Sequence, residues 1–353
     1  MLTSGAYGYL TDYLLWCVLY LSVVVHAWCF FRFFPRDKYR SSGLVLGNGL
    51  VFVCLLGAVG LVAESYFRFV SIETDAFGMS LPARRWFAIY APLNSLGCRD
   101  VEWTVQKPPG VRRVAFVGDS FTYGWGIENP PDTFAGRVQA MFDTQSPGAV
   151  QVLNVAKPGW DSGAELQPVK DMIDLYRVDE IVLCYIPNDI EKLLPRTADF
   201  DPIRPPEPTL FNVSSSCLLE HLYYRMWVPR AGTVSGYHDW LADGFANEEI
   251  WRRHQQQLDD MIRYCHERNV TFRAVLLPFI RTGGQKYQAK AIHARLRQFF
   301  EAQQVPVVDL LPVVAARPAS DLVVNGYDAH PNELAHKLFA EVIWQGFYSA
   351  TSP

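Results

Sequence analysis

The first twelve residues of this 353-residue chain contain no cation, and Tyr13 to Phe31 contains no Asp, Glu, Lys or Arg. Gly43 to Ala63 is a second run without charge. A cleaved signal peptide wants a basic start and a shorter apolar core, so the N-terminus fits that role poorly. There is no excess of positive charge. A net charge of −4 and a sequence pI near 6.1 argue against a nucleic-acid binder, which would carry a basic face. The seven cysteines lack paired metal spacing, so they offer no thiolate metal site. Cys17, Cys29 and Cys54 fall in the apolar runs, and Cys98, Cys184, Cys217 and Cys265 fall beyond them. A Cys98–Cys217 disulfide stays open, and Cys184, inside an apolar strand pattern, reads as inert. Internal repeats and low-complexity tracts are also missing. With half its residues hydrophobic, the chain can bury a large core.

At about 1.5 Å per residue, the first apolar run covers roughly 28 Å, enough for a hydrocarbon core. The second is of similar length. Between them Arg32, Arg36, Lys38 and Arg40 stand against the single anion Asp37. The positive-inside rule then places this loop in the cytoplasm and both chain ends outside. Tyr13, Trp16, Trp28, Phe30 and Phe31 lie partly where interfacial aromatic belts form. His26 lies within the first run, and an ionisable residue there is a functional candidate. It is close to the cytoplasmic end and can be neutral, which favours a satisfied or interfacial histidine.

Beyond the membrane the pattern changes to alternating strands and helices. The expected strands are Val114–Val117, Val150–Val155, Asp179–Tyr185, Thr271–Leu277 and Val305–Leu310. The expected helices are Pro131–Phe142, Glu165–Tyr176, Glu248–Asn269, Ala289–Gln303 and Glu333–Tyr348. Alternation of this kind implies right-handed crossovers and a parallel sheet covered on both faces. Glu191 to about Asn247 interrupts it. This insert has a Pro-rich piece, Asp201–Pro208, and a short helical pattern at Cys217–Trp227. It could roof a site or pack against the membrane-proximal connector.

Each candidate site residue lies at a strand end or a helix start. Gly118-Asp119-Ser120-Phe121-Thr122 follows the first strand, Asn154 and Gly159 belong to the second, and Asn188-Asp189 follows the third. Asp328-Ala-His330-Pro-Asn332 precedes the final helix, with Ala335-His336 later. Singly these are turn and cap chemistry. In this order they resemble the blocks of the SGNH/GDSL hydrolase family. Asn94-Ser-Leu-Gly-Cys-Arg-Asp100 is similar to an element of its membrane-tethered bacterial branch, with Cys98 where an aromatic residue is common. Two further departures stand out. Ile186 and Pro187 replace the usual glycines before Asn188, and the acid lies two residues before His330, where three is commonest. An Asp-x-His spacing occurs in relatives that act on polysaccharide acetyl groups. Arg99 and Asp100 read as a local ion pair at the domain's edge, and His336 as a packing or surface residue rather than a second base.

The resemblance implies a flavodoxin-like three-layer α/β sandwich, with a five-stranded parallel sheet in the order 2-1-3-4-5. Two transmembrane helices precede it. The expected organisation is a hairpin at 1–63, a connector at 64–112 and a hydrolase-like domain at 113–353, with the insert at about 191–247. The resemblance also implies roles. Ser120 would be the nucleophile, His330 its base and Asp328 the orienting acid, with Asp321 as an alternative acid. The oxyanion would be held by the N–H groups of Ser120 and Gly159 and the amide of Asn188. No metal or organic cofactor is implied. The expected activity is ester hydrolysis, plausible on acyl groups of envelope glycans, by a two-pass protein of the bacterial inner membrane with its C-terminal domain outside the cytoplasm. Expected partners are the lipid bilayer and an acylated small molecule or glycan, with other membrane subunits open and no nucleic acid. Acyl transfer by the same residues and a structural subunit on a retained hydrolase fold are the alternatives.

Overall fold

A computed structural model describes residues 3–33, 40–195, 216–226, 236–282 and 288–349. Arg36, Lys38, the side chain of Arg40, the Pro-rich 201–208 and Trp227 lie outside the described residues. The chain divides into two compact units.

The first unit comprises Met1–Glu73, Met79–Arg85 and Ile203–Pro229. It holds helices α1 (Thr3–Phe33) and α2 (Arg40–Ser65), which a π-helical turn, Tyr66–Val70, prolongs. Leu10–Phe33 and Ser41–Val70 are long and apolar enough to cross a membrane, and only 6% of the most apolar window of each is buried. The two helices meet through Tyr20, whose hydroxyl donates to the Cys54 carbonyl at 3.1 Å. Its ring lies against Gly57, where a Cβ would stand 2.8 Å from it. His26 spends Nδ1 on the Ser22 carbonyl at 2.7 Å, one helical turn back, which accounts for it locally. In the same unit Glu64 accepts from the Cys217 and Leu218 N–H groups, from Ser216 Oγ and from Arg68. It thereby supplies the acceptors that the first turn of a helix, Cys217–Met226, lacks. This part of the insert packs beside residues 64–73, the second of its two expected placements.

The second unit comprises Thr74–Gly78, Trp86–Pro202 and Arg230–Pro353. Its strands are β1 (Arg112–Gly118), β2 (Val150–Ala156), β3 (Glu180–Tyr185), β4 (Thr271–Leu276) and β5 (Val307–Asp309). All pair in parallel in the order β2-β1-β3-β4-β5, as expected. Alternate residues of β1 face opposite layers, as strand geometry requires. Ala115 and Val117 join the core with helices Ser162–Asp174, Glu248–His266 and Ala289–Ala302. Val114 and Phe116 join the core with helices Phe134–Gln145 and Glu333–Phe347. Both layers are closed, and the strands read as continuous apolar runs for that reason. Helix–strand boundaries fall within three residues of the sequence expectation.

Some elements were not expected. Leu81–Tyr90 and Tyr237–Ala246 are helices. Val323–Asn325 and Asp328–Pro331, here β6 and β7, form an antiparallel ribbon before the final helix. The cysteines are free thiols, so Cys98 and Cys217 are not joined. Burial pushes the Cys98 thiol up to about 11 and the Cys217 thiol up to about 12, so both pack as small apolar groups.

Candidate active site

Three neighbouring strands deliver the site. Gly118 of β1 lies in register with Ala156 of β2 and Cys184 of β3, so the three chains leave the sheet side by side at its C-terminal edge. Open α/β sheets place their crevices there. Gly118 is required because a Cβ would stand 2.2 Å from Thr122 Oγ1. Asp119 caps the short helix Ser120–Tyr123, accepting from the Phe121 N–H at 2.9 Å. Ser120 is thus the first residue of a tight turn, partly open to solvent.

His330 reaches Ser120 from the β6–β7 ribbon. Its Nε2 lies 2.8 Å from Ser120 Oγ, and its Nδ1 lies 2.5 Å from Asp328 Oδ1. The carboxylate can only accept, so it keeps the imidazole hydrogen on Nδ1 and leaves Nε2 to take the serine proton. The ribbon also explains the unusual spacing. Residues i and i+2 of a strand share a face, so an acid two positions before the histidine meets its ring. Burial works to raise the Asp328 carboxyl, but the His330 charge and hydrogen bonds hold it below the usual carboxylate range. The final helix is capped by Asn332, which accepts from the Ala335 N–H at 3.0 Å, so Asp328 does not serve as that cap. Asp321 contributes its carbonyl to Asn332 and lies in the turn before β6.

Asn188 belongs to a 3₁₀ turn, Pro187–Leu193, that leaves β3. Its Nδ2 lies 3.5 Å from Asp119 Oδ2, and its buried Oδ1 has no partner. An amide held this loosely is available to another acceptor. Gly159 occupies the turn leaving β2 with φ of +77°, a conformation that favours glycine. Nothing lies within 4 Å of where its Cβ would be, so it borders open space. No hydrogen bond links Gly159 to Ser120 or Asn188. Asn154 ties β2 to the Ser120 turn, donating from Nδ2 to the Thr122 carbonyl at 2.9 Å. His336 is buried. Its Nδ1 accepts from the Phe134 N–H at 3.0 Å, and burial lowers its pKa to about 3, so it is a neutral packing residue as expected.

Arg99 and Asp100 do not form the expected ion pair. Arg99 is fully buried and spends its donors on backbone carbonyls of Tyr90, Tyr123, Gly124, Ile127 and Glu128. Burial lowers its pKa to about 10, still charged at neutrality. Asp100 instead accepts from the Asn154 N–H and from Trp103 Nε1. Adjacent in sequence, the two side chains serve different loops.

The loop that Arg99 clamps carries Trp125, which sequence reasoning did not single out. Its ring stacks on His330 with centroids 4.9 Å apart and planes 13° apart. Phe121 flanks the same imidazole at 5.3 Å. Trp125 Nε1 donates to the Asp75 carbonyl at 3.2 Å, and Asn325 Nδ2 donates to the Thr74 carbonyl at 3.0 Å. Thr74 to Gly78 therefore backs both the tryptophan and the ribbon. Thr74 Oγ1 and Asp328 Oδ2 each lack a well-formed partner and lie beside one another. The signal for Trp125 was present, in Gly-Trp-Gly directly after the Ser120 turn. Gly124 and Gly126, with φ of +76° and +84°, take the left-handed conformations that favour glycine on either side of the ring.

No curated protein matches the sequence. Solved structures similar to the chain include a psychrotrophic esterase, EstA, from Pseudoalteromonas sp., at 13% identity and a TM-score of 0.42, covering 67% of this chain and 96% of that one. A lipolytic protein of the G-D-S-L family from Veillonella parvula is 14% identical with a TM-score of 0.42, over 67% of this chain and 98% of its own. An acetylxylan esterase from Geobacillus stearothermophilus is 13% identical with a TM-score of 0.41, over 70% and 99%. The model of the GDSL-like lipase/acylhydrolase family matches residues 116–338, which include Ser120, Asn188 and His330 and make up well over half of the sequence. This chain belongs to the GDSL-like lipase/acylhydrolase family.

Proposed function

We propose that this protein is a membrane-anchored serine ester hydrolase whose active domain lies outside the cytoplasm and removes acyl groups from envelope glycans. The observation that carries the chemistry is the unbroken relay from Ser120 Oγ to His330 Nε2 and from Nδ1 to Asp328, at 2.8 and 2.5 Å. A serine hydroxyl is a poor nucleophile until a base takes its proton. His330 accepts that proton as Ser120 attacks the ester carbon, and Asp328 stabilises the imidazolium so formed. The tetrahedral oxyanion is met by the Ser120 and Gly159 N–H groups and by Asn188 Nδ2. His330 returns the proton to the departing alcohol. Water then repeats the sequence on the acyl-enzyme and frees Ser120.

Anchoring is supported by the two long apolar helices and their largely uncovered surfaces. The orientation rests on the cations between them. The glycan O-acyl substrate rests on the Asp-x-His spacing, shared with relatives that act on polysaccharide acetyl groups. The test is turnover of a short-chain acyl ester by the detergent-purified full chain beside its Ser120→Ala variant. Turnover in the first and none in the second is expected, and equal rates would overturn the reading. Adding an acceptor glycan separates free acid from transferred acyl group as product. Protease added to intact spheroplasts should digest the C-terminal domain, and protection would contradict the orientation.

A further inference from the structure

Around Asp119, the residue before Ser120, lies a group of carboxyls that the relay does not use. Glu165, in the first turn of the helix Ser162–Asp174, is fully buried, and neither carboxyl oxygen has a donor. Asp189, next to Asn188, is also buried. Its Oδ2 accepts from the Ile186 N–H at 3.0 Å and so closes the 3₁₀ turn, while Oδ1 has no donor. Two charged carboxylates cannot both persist in such a place.

We propose that Glu165 is a positioning residue for the oxyanion site: as a neutral acid it donates a hydrogen bond to Asp189 Oδ1, and the shared proton locks the turn that presents Asn188. The proposal rests on the esterase reading above. The helix and the 3₁₀ turn are packed neighbours, and Asp189 lies in the field of Glu165. Burial first, and then the charge of Asp119, pushes the Glu165 carboxyl well above the usual range. Burial and Glu165 do the same for Asp189. The other groups facing the pair are Asp161, Lys192, the Cys184 thiol and Tyr237. His254, beyond Asp161, is lowered to about 4 by burial and is neutral. Lys192 is the one cation in this set, and it lies 3.2 Å from Asp161 Oδ1, itself a helix cap. A raised pKa means that the neutral acid outlasts an ordinary carboxyl and is lost as pH rises further. Ionisation would release the shared proton to solvent and set two carboxylates against each other beneath Asn188.

The experiment compares wild type, Glu165→Gln and Glu165→Leu as full chains in detergent, with kcat and KM for a short-chain ester measured across neutral and alkaline pH. Gln keeps a donor without the ionisation, and Leu keeps only the bulk. Expected are near-normal kcat in Glu165→Gln without the alkaline decline of wild type, and kcat lower by about 10²-fold in Glu165→Leu with KM little changed. Equal impairment of both variants, an unchanged kcat in Glu165→Leu, or the same alkaline decline in Glu165→Gln would overturn the proposal. Should Glu165→Leu fail to fold, the Gln variant alone decides it. Infrared spectroscopy should show a buried carboxylic-acid carbonyl band in wild type that Glu165→Gln lacks. That band is read without turnover, so its absence contradicts the proposal, while its presence in an inactive protein contradicts only the esterase reading.

Discussion

Two sets of buried acids near the Ser120 turn are built from the same residue type under opposite electrostatics. At the relay Asp328 is buried yet held below the usual carboxylate range, because His330 donates to it. Next to Asn188, Glu165 and Asp189 are equally buried, but Asp119 acts on both and Glu165 on Asp189, which favours their neutral forms. Burial raises a carboxyl's pKa in both places. What differs is whether a donor stands within hydrogen-bond reach. The comparison teaches that a buried acid in this family of folds cannot be given a role from its burial alone.

Lesions at the relay should therefore be the larger. Ser120→Ala should lower kcat by about 10⁶-fold in a stopped ester assay, since removal of a serine nucleophile elsewhere costs that much. Asp328→Asn should lower it by about 10⁴-fold with the melting temperature nearly kept, because the amide can present a donor to Nδ1 and favour the wrong tautomer. Unchanged turnover with a lowered melting point would break the contrast by removing Asp328 from the relay. Asn188→Ala should cost about 10²- to 10³-fold in kcat, the usual range for one oxyanion donor, with little change in KM.

Two smaller effects concern the frame that holds both sets. Arg99→Ala strands buried carbonyls of the Trp125 loop and should lower stability by about 3 kcal/mol in denaturant titration. Arg99→Lys should rescue little of it, because an ammonium cannot span carbonyls from Tyr90 to Glu128. His336 should contribute a modest acid sensitivity. Its folded pKa of about 3 lies below the ordinary imidazole value near 6.5, so the unfolded chain binds the extra proton. Stability from this residue is complete above about pH 6.5 and is lost progressively as pH falls toward 3. Denaturant midpoints for wild type and His336→Gln should then converge on acidification, and parallel curves would contradict this.

Much of the architecture was legible because it is local. Parallel strands buried on both faces read as apolar runs, and the five were found in order. Ser120, Asn188, His330 and Asp328 were legible as short patterns at strand ends. What was hidden depends on distant pairings. Nothing near Arg99 in sequence says that its donors go to the loop after Ser120, so the adjacent Asp100 was the natural partner and the wrong one. Trp125 carries meaning only once the ribbon has brought His330 to its face. Glu165 reads as an ordinary polar residue early in an amphipathic helix until the packing buries it beneath the Asn188 turn. The ribbon itself was missed because its strands have only three and four residues, too short for a period-two signal.

The central claim is that Ser120 is a nucleophile activated by His330. The most direct measurement is covalent capture with an organophosphonate ester probe, followed by peptide mass mapping of the detergent-purified full chain. The account predicts a single adduct on the Ser120 peptide, absent in Ser120→Ala and strongly slowed in His330→Ala. No adduct in wild type, or labelling that survives Ser120→Ala, would contradict it.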